Sequence, residues 1–122
     1  VYRHSVDRPL LECCAGTLEK NEDPAACAGR EMIEETGYQA KPEAIVYLGS
    51  FYTSPGLSDE LMRAYVATHV EHVGQHLEED ESIEVVLLSP AEVWKAVEGG
   101  RIQDGKSLTA LLLASRRGFV RE

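Results

Sequence analysis

The order of secondary-structure elements predicted from this 122-residue sequence indicates an α/β fold. Segments rich in Ile, Val and Tyr, which favour strands, alternate with segments that carry the start and stop signals of helices. The chain has the length of one domain, and its 43% hydrophobic content is ordinary for a globular protein. We therefore expect one domain over residues 1–122, in which a mixed β-sheet lies between α-helices.

Five segments have the composition of β-strands, because they are rich in β-branched and aromatic residues or alternate between polar and apolar residues. They are residues 2–4, 10–13, 44–52, 61–69 and 83–88. A turn is predicted at residues 7–9, between the first two strands. Ser54, Pro55 and Gly56 predict a second turn, between the third strand and the fourth.

The first helix is predicted over residues 24–36. Asp23 is a typical N-cap, Pro24 stands at the first helical position, and Gly37 is a typical stop. A second helix is predicted over residues 90–98, where two glycines end it.

A last helix begins at Asp104 or at Ser107. Its predicted apolar face carries Leu108, Leu111, Leu112 and Ala114.

Three carboxylates of the first helix are predicted to share one stripe. Glu31, Glu34 and Glu35 stand at i, i+3 and i+4, which brings them within about 6 Å of each other. Such a cluster is either a solvated acidic face or a site for a hard divalent cation, which relieves the mutual repulsion of the carboxylates. The opposite side is expected to pack on a sheet, with Gly29 allowing close approach. It carries Ala25, Ala26, Gly29, Met32 and Ile33.

Arg30 and Glu22 favour the cation site over the solvated face. The guanidinium of Arg30 is predicted to pair with Glu34 or to reach back to Glu22, since its planar fork suits carboxylates. Either pairing would fix the preceding loop against the helix.

The net charge of −9 argues against nucleic acid as a partner, because no basic stripe is present to displace counterions. No apolar run approaches the roughly 20 residues needed to cross a bilayer, so we expect no membrane partner. Cys13, Cys14 and Cys27 are odd in number and lack metal-ligand spacing. We interpret them as buried or half-buried apolar residues of a reducing compartment and expect a cytoplasmic protein.

The helix and its preceding loop form a motif. The segment GTLEKNEDPAACAGREMIEETGY has the spacing G-x5-E-x7-R-E-U-x-E-E-x-G-U, where U is an apolar residue. Its fixed residues are Gly16, Glu22, Arg30, Glu31, Glu34, Glu35 and Gly37. This spacing resembles the Nudix box, the signature of hydrolases that split diphosphates linked to another group. The resemblance implies the Nudix fold and a small-molecule nucleoside diphosphate substrate.

Further segments are similar to the ADP-ribose pyrophosphatase branch of that family. They are VYRH, LLECCAG, SPGLSDE, EEDESIEVV and IQDGKSLTALLLA. Pro55 matches a proline that this branch carries a little beyond the box. The pre-box segment departs from the branch, because Cys13 and Cys14 stand where Leu-Pro is common, and a Cys-Ala-Gly form is found in relatives that act on GDP-mannose. The resemblance therefore implies ADP-ribose as substrate, with GDP-mannose or another nucleotide sugar as the alternative.

The resemblance also implies a metal site. Glu31 and Glu35 match direct ligands, Glu34 matches a residue that holds metal through water or supports the others, and the backbone carbonyl of Ala15 matches a further ligand. The implied cation is Mg²⁺, with Mn²⁺ as the alternative. In the same branch the general base lies in an acidic loop, which here places it at Glu79 with Glu81 as the alternative; a plain polar loop is the other interpretation.

Substrate contacts are implied at six positions. Arg3 resembles an arginine that contacts phosphate or the terminal ribose, Glu12 and Glu60 match positions near the substrate, and the turn residues shape the loop beside it. These turn residues are Ser54, Pro55 and Gly56.

Only fifteen residues precede Gly16, whereas this fold usually has more strands before the box. The resemblance thus implies that further N-terminal strands belong to the natural chain and that the protein is a homodimer. A third function remains open, namely a Nudix-like module that senses a nucleotide without turnover, as happens when box glutamates are lost. All of them are present here.

Overall fold

The computed structural model describes residues 2–3, 8–9, 13, 21–77 and 83–120. These residues contain both helices and strands, which confirms the α/β class. In chain order the elements are β1 (Tyr2–Arg3), β2 (Arg8–Pro9), α1 (Pro24–Thr36), β3 (Tyr38–Gln39), a short 3₁₀ helix (Pro42–Ala44), β4 (Ile45–Tyr52), β5 (Leu61–Ala67), β6 (Glu71–His72), α2 (Pro90–Glu98) and α3 (Gly105–Arg116). None of the helices in the described part of the chain has the length and apolar character needed to cross a membrane.

The residues group into two compact units. One lies within residues 14–81 and contains α1 with strands β3 to β6; the other combines residues 1–13 with 82–122 and contains β1, β2, α2 and α3. The described strands pair only in antiparallel fashion, β1 with β2, β3 with β6 and β4 with β5. In this part of the chain the expected mixed sheet is therefore seen as three antiparallel pairs.

Helix α1 has the bounds predicted from its capping residues. The side chain of Asp23 accepts a hydrogen bond from the Ala26 backbone N–H at 3.1 Å, and Pro24 occupies the first turn. Gly37 ends the helix in the left-handed conformation at φ 78°, and its N–H donates to the Ile33 carbonyl. The bounds of this helix therefore match the capping signals in its own sequence.

Strands β4 and β5 form the longest pairing of this unit. Ile45 lies opposite Ala67 and Tyr52 opposite Leu61, with a bulge between Tyr47 and Gly49. The prediction of strands at 44–52 and 61–69 is confirmed with slightly shorter bounds. The predicted turn between them is also confirmed.

The packing of α1 on this hairpin confirms one prediction and corrects another. A Cβ added at Gly29 would lie 3.1 Å from Cδ1 of Ile45, so glycine does permit a close approach of helix and strand. Ala26, however, is exposed, whereas Cys27 is buried. The predicted packing side therefore does not extend to Ala26, and the most buried residue of the helix is Cys27, which was not assigned to that side.

Two predictions for the other unit are wrong, and a third lies mostly outside the described residues. Arg8 and Pro9 were expected in a turn but pair with β1, which a terminal proline tolerates because it needs no partner for an N–H. Residues 10–12 of the next predicted strand lie outside the described residues, and Cys13 belongs to no strand. Residues 83–88 belong to no strand ladder of the described part of the chain, although Ile83 and Val85 alternate with more exposed neighbours as predicted.

Helices α2 and α3 are confirmed. Ser89 and Glu92 form a capping box at the start of α2, and Asp104, rather than Ser107, is the N-cap of α3. Leu112 does not belong to the apolar face, since it is 58% exposed.

Ser107, which is not the N-cap of α3, is a buried residue at the centre of a hydrogen-bond network. Its hydroxyl accepts from the Cys13 N–H at 2.8 Å and donates to Oδ2 of Asp104 at 2.8 Å, while Lys106 Nζ also contacts Oδ2 at 2.8 Å. Burial alone would raise the pKa of Asp104, but the hydrogen bonds from Lys106 and Ser107 outweigh it and lower the pKa. The network joins Cys13 to α3. Cys13 itself is exposed, so the expectation that it is buried or half-buried is wrong.

Replacing Ser107 with Ala removes the acceptor of a backbone N–H and a donor to a carboxylate in one step. Because the site is buried, we expect the free energy of unfolding to fall by about 1–3 kcal/mol. Urea unfolding measures this, with Thr109→Ala as the control, since the Thr109 hydroxyl only returns to the Gly105 carbonyl of its own helix. Equal losses in the two variants would contradict the importance of the network.

Candidate active site

The three glutamates of α1 lie on one stripe of the helix, as the spacing requires. They are not a fully solvated face, because Glu31, Glu34 and Glu35 are all partly buried and the Glu31 side chain is only 16% exposed. Partial burial strengthens the repulsion between like charges, since less water screens them. This observation favours a site that needs positive charge over a plain acidic surface.

Arg30 supplies part of that charge from within the helix. Its Nε and Nη2 atoms bind the two carboxylate oxygens of Glu22 at 2.9 and 3.1 Å, a bidentate pair. Its Nη1 atom contacts Oε1 of Glu31 at 2.8 Å and Oε2 of Glu34 at 3.2 Å. The predicted alternatives, Glu34 or Glu22, are therefore both realised, and Glu31 is added. One guanidinium fixes the loop before the helix and two glutamates of the stripe.

Among the described residues of this cluster, carboxylates outnumber the one guanidinium. Arg30 contacts three carboxylates, and Glu35 adds a fourth on the same stripe. The glutamates also stand in the C-terminal half of α1, where the helix dipole is negative and no basic residue occupies the last turn. A divalent cation with oxygen ligands suits this donor set, because hard carboxylate oxygens are what Mg²⁺ prefers.

The ligand set itself stays a prediction. Among the described residues no three His, Cys, Asp or Glu side chains converge as a metal-holding group. Arg30 engages one oxygen of Glu31 and one of Glu34, which draws these carboxylates toward the guanidinium. The predicted backbone ligand at Ala15 lies outside the described residues.

Cys27 stands on α1 four residues before Glu31 and is buried at 7% exposure. Its sulfur is 3.8 Å from Nη2 of Arg30. Burial, and then the negative charge of Glu22, raise the pKa of the Cys27 thiol above its usual value, against the opposing effect of Arg30. A protonated thiol is a poor nucleophile, so we interpret Cys27 as a packing residue of α1. The prediction that it is buried is confirmed, while Cys14 lies outside the described residues.

The predicted substrate loop is an exposed turn that follows β4. The carbonyl of Ser54 accepts hydrogen bonds from the N–H groups of Leu57 and Ser58 at 2.8 and 2.9 Å, which closes the turn around Pro55 and Gly56. Glu60 lies at its far end and accepts a hydrogen bond from the Thr53 hydroxyl at 2.6 Å. Ser54, Pro55, Gly56 and Glu60 thus belong to one loop in the unit that contains α1.

The described structure does not test the other predicted site residues. Arg3 belongs to β1 in the other compact unit. Glu12, Glu79 and Glu81 lie outside the described residues, so their roles stay predictions.

Sequence reasoning missed one element of the site, the segment 73–76, which lies against the C-terminal end of α1. Gln75 Nε2 donates to the Glu35 carbonyl at 2.6 Å, and the His76 N–H donates to the Glu34 carbonyl at 3.0 Å. The signal that the sequence offers for this segment is Gly74, whose φ in the structure is 102°. A single glycine does not reveal which helix end the segment contacts.

Comparisons with known proteins agree with the motif. The model of the NUDIX domain family matches residues 2–111. Over 112 residues the chain is 37% identical to an ADP-ribose pyrophosphatase of Bacillus subtilis and 38% identical to a methanol dehydrogenase activator of Bacillus methanolicus. Over 120 residues it is 38% identical to a GDP-mannose pyrophosphatase of Yersinia enterocolitica.

These alignments cover 90%, 90% and 94% of the chain but 60% of each relative. The chain therefore spans about 60% of the length of the curated relatives that it matches.

Replacing Arg30 with Lys keeps the charge but removes the planar fork that contacts three carboxylates at once. We expect the free energy of unfolding to fall by about 1.5–3 kcal/mol, the range for hydrogen bonds to charged groups. Urea unfolding measures this loss, and Arg63→Lys, at an exposed arginine of β5, is the matched control. A variant as stable as the control would mean that the fork contributes nothing beyond its charge.

Proposed function

The chain belongs to the NUDIX domain family, and we propose that it hydrolyses ADP-ribose to AMP and ribose 5-phosphate with Mg²⁺ as cofactor. The observation that carries this proposal is the Arg30 network, which gathers Glu22, Glu31 and Glu34 of the box around one guanidinium. Members of this family generally use divalent cations. Three partly buried carboxylates on one helix stripe are hard oxygen donors and support such a cofactor.

Glu31 and Glu35 are the proposed direct ligands, with Glu34 acting through water and the Ala15 carbonyl completing the set. Bound Mg²⁺, or Mn²⁺ in its place, supplies positive charge that offsets the diphosphate oxygens and lowers the pKa of water. Arg30 contributes by holding the two glutamates that it contacts at a constant position on the helix. The residue is thus part of the catalytic machinery through the ligands it supports.

The proposed reaction breaks one P–O bond of the diphosphate bridge. Water supplies the oxygen that joins one phosphorus, and the bridging oxygen leaves with the other phosphate. Glu79 accepts the proton of the water, and Glu81 is the alternative base. Arg3 contacts a substrate phosphate or the terminal ribose.

The remaining proposed substrate contacts are Glu12, Glu60 and the turn formed by Ser54, Pro55 and Gly56.

GDP-mannose is the second candidate substrate. The Cys13-Cys14-Ala15-Gly16 segment and the similarity to a GDP-mannose pyrophosphatase favour it, whereas the SPGLSDE segment and the similarity to an ADP-ribose pyrophosphatase favour ADP-ribose. We further propose that the protein is a cytoplasmic homodimer. Light scattering on the purified full-length protein tests the dimer, and a monomeric mass would refute it.

Kinetics on ADP-ribose and GDP-mannose, measured side by side with Mg²⁺ on the full-length chain, test the substrate. We expect a higher kcat/KM for ADP-ribose, read as released AMP. A higher value for GDP-mannose would reverse the assignment within the same chemistry. Binding without multiple turnovers on either compound would instead mean that the domain senses nucleotides and does not hydrolyse them.

Replacing Glu35 with Gln removes a ligand charge and keeps the size of the side chain. We expect kcat to fall by about 10²-fold or more, as for the loss of a group that stabilises charge in the transition state. Glu43→Gln is the control, because Glu43 is an exposed carboxylate of the 3₁₀ helix in the same unit. An unchanged rate in Glu35→Gln would place the metal site elsewhere.

Glu79→Gln separates the base from the ligands. This variant should turn over slowly while its Mn²⁺ affinity stays close to that of the parent protein. A loss of Mn²⁺ affinity would identify Glu79 as a ligand and not as the base.

A further inference from the structure

The C-terminal end of α1 is held by a segment that lies far from it in the sequence. The Gly37 carbonyl accepts from the N–H groups of Val73 and Gly74 at 2.7 and 3.0 Å. The backbone N–H of His76 reaches the Glu34 carbonyl, and the side-chain amide of Gln75 reaches the Glu35 carbonyl at 2.6 Å. Gln75 is the member of this segment that makes its contact through a side chain, so a substitution can remove the contact without altering the backbone.

This contact is built into the backbone of both partners. Gly37 has a φ of 78° and Gly74 a φ of 102°, values that residues other than glycine rarely adopt. A Cβ at Gly37 would lie 2.8 Å from the carbonyl carbon of Gly74 and 2.9 Å from the backbone nitrogen of Gln75. The helix end and the segment can approach this closely only because no side chain stands between them.

The last turn of α1 needs such support more than an ordinary helix end does. Its final carbonyls have no partners within the helix, and they form the negative end of the helix dipole. Glu34 and Glu35 add charges of the same sign there, and Glu31 and Glu35 repel each other at i, i+4 spacing. Without a cation, these forces favour fraying of the turn that holds Glu35.

We propose that Gln75 is a positioning residue for the cation site. By donating to the Glu35 carbonyl, it keeps the last turn helical, so that Glu31 and Glu35 stand one turn apart before a cation binds. This inference rests on the proposed function, since it assumes that these two carboxylates bind the metal. When the last turn is already helical, cation binding does not have to order it, so less binding free energy is lost. The amide of Gln75 therefore increases cation affinity.

The test uses Gln75→Met, which keeps the length of the side chain but removes the donor. Gln39→Met, at an exposed glutamine of β3 in the same unit, is the matched control. Mn²⁺ affinity is measured on metal-free protein by electron paramagnetic resonance of the unbound ion, at a temperature at which all variants are folded. We expect the Kd of Gln75→Met to rise roughly 2- to 12-fold, the factor that corresponds to one hydrogen bond, and the Kd of the control to stay unchanged.

A second measurement follows the helix end directly. Hydrogen exchange of a peptide that covers residues 31–38 should be faster in metal-free Gln75→Met than in the parent protein, and Mn²⁺ should restore slow exchange. A role in stability alone would lower the melting temperature and leave both the Kd and this pattern of exchange unchanged, which would overturn the inference.

Failure of the inference is distinguishable from failure of the proposed function. If the parent binds Mn²⁺ and Glu35→Gln weakens binding while Gln75→Met behaves like Gln39→Met, the site stands and the role of Gln75 is refuted. If Glu35→Gln binds Mn²⁺ as tightly as the parent, the proposed ligand set is refuted and the inference falls with it.

Discussion

The need to hold several carboxylates close together is the constraint on which the box helix and its surroundings depend. Arg30 meets part of this need by contacting Glu22, Glu31 and Glu34 through one planar group. Because the guanidinium is always protonated and its donors have a fixed geometry, the arrangement persists at any physiological pH. Cys27 is buried beside it, with its sulfur in contact with Arg30 and the pKa of its thiol raised by burial.

The arrangement opposes the ordinary rules of helix stability. Each carboxylate near the negative end of a helix costs about 0.3–1 kcal/mol instead of contributing to stability. Hydrogen bonds and capping residues at both ends of α1 offset this cost. Asp23 caps the start, Gly37 ends the helix, and the segment 73–76 donates to the last carbonyls. A helix placed against electrostatic preference in this way is typical of a functional site, where strain is retained because the charges have a use.

Predictions from sequence were most accurate where neighbouring residues decide the structure. The bounds of α1 and the turn at Ser54 depend on caps, prolines and glycines within a few positions, and they were predicted correctly. Predictions that depended on distant partners were less accurate. Residues 83–88 have the pattern of a strand, yet a strand exists only where another strand pairs with it. Leu112 has helical spacing with its apolar neighbours but is exposed. Spacing shows which residues share a face, and only packing shows how much of that face is buried.

The sequence by itself determined the family, the helix that carries the glutamates and the stripe on which they stand, because periodicity and capping are local properties. Only the tertiary structure decided that Arg30 binds three carboxylates at once, that Ser107 holds Cys13, and that Gln75 reaches the end of α1. The contacts of Ser107 and Gln75 join residues that are far apart in the chain. Arg30 instead has several carboxylates within reach, and the sequence does not show which of them it binds. Such choices depend on where the backbone of the other partner lies, and that position is a property of the folded chain.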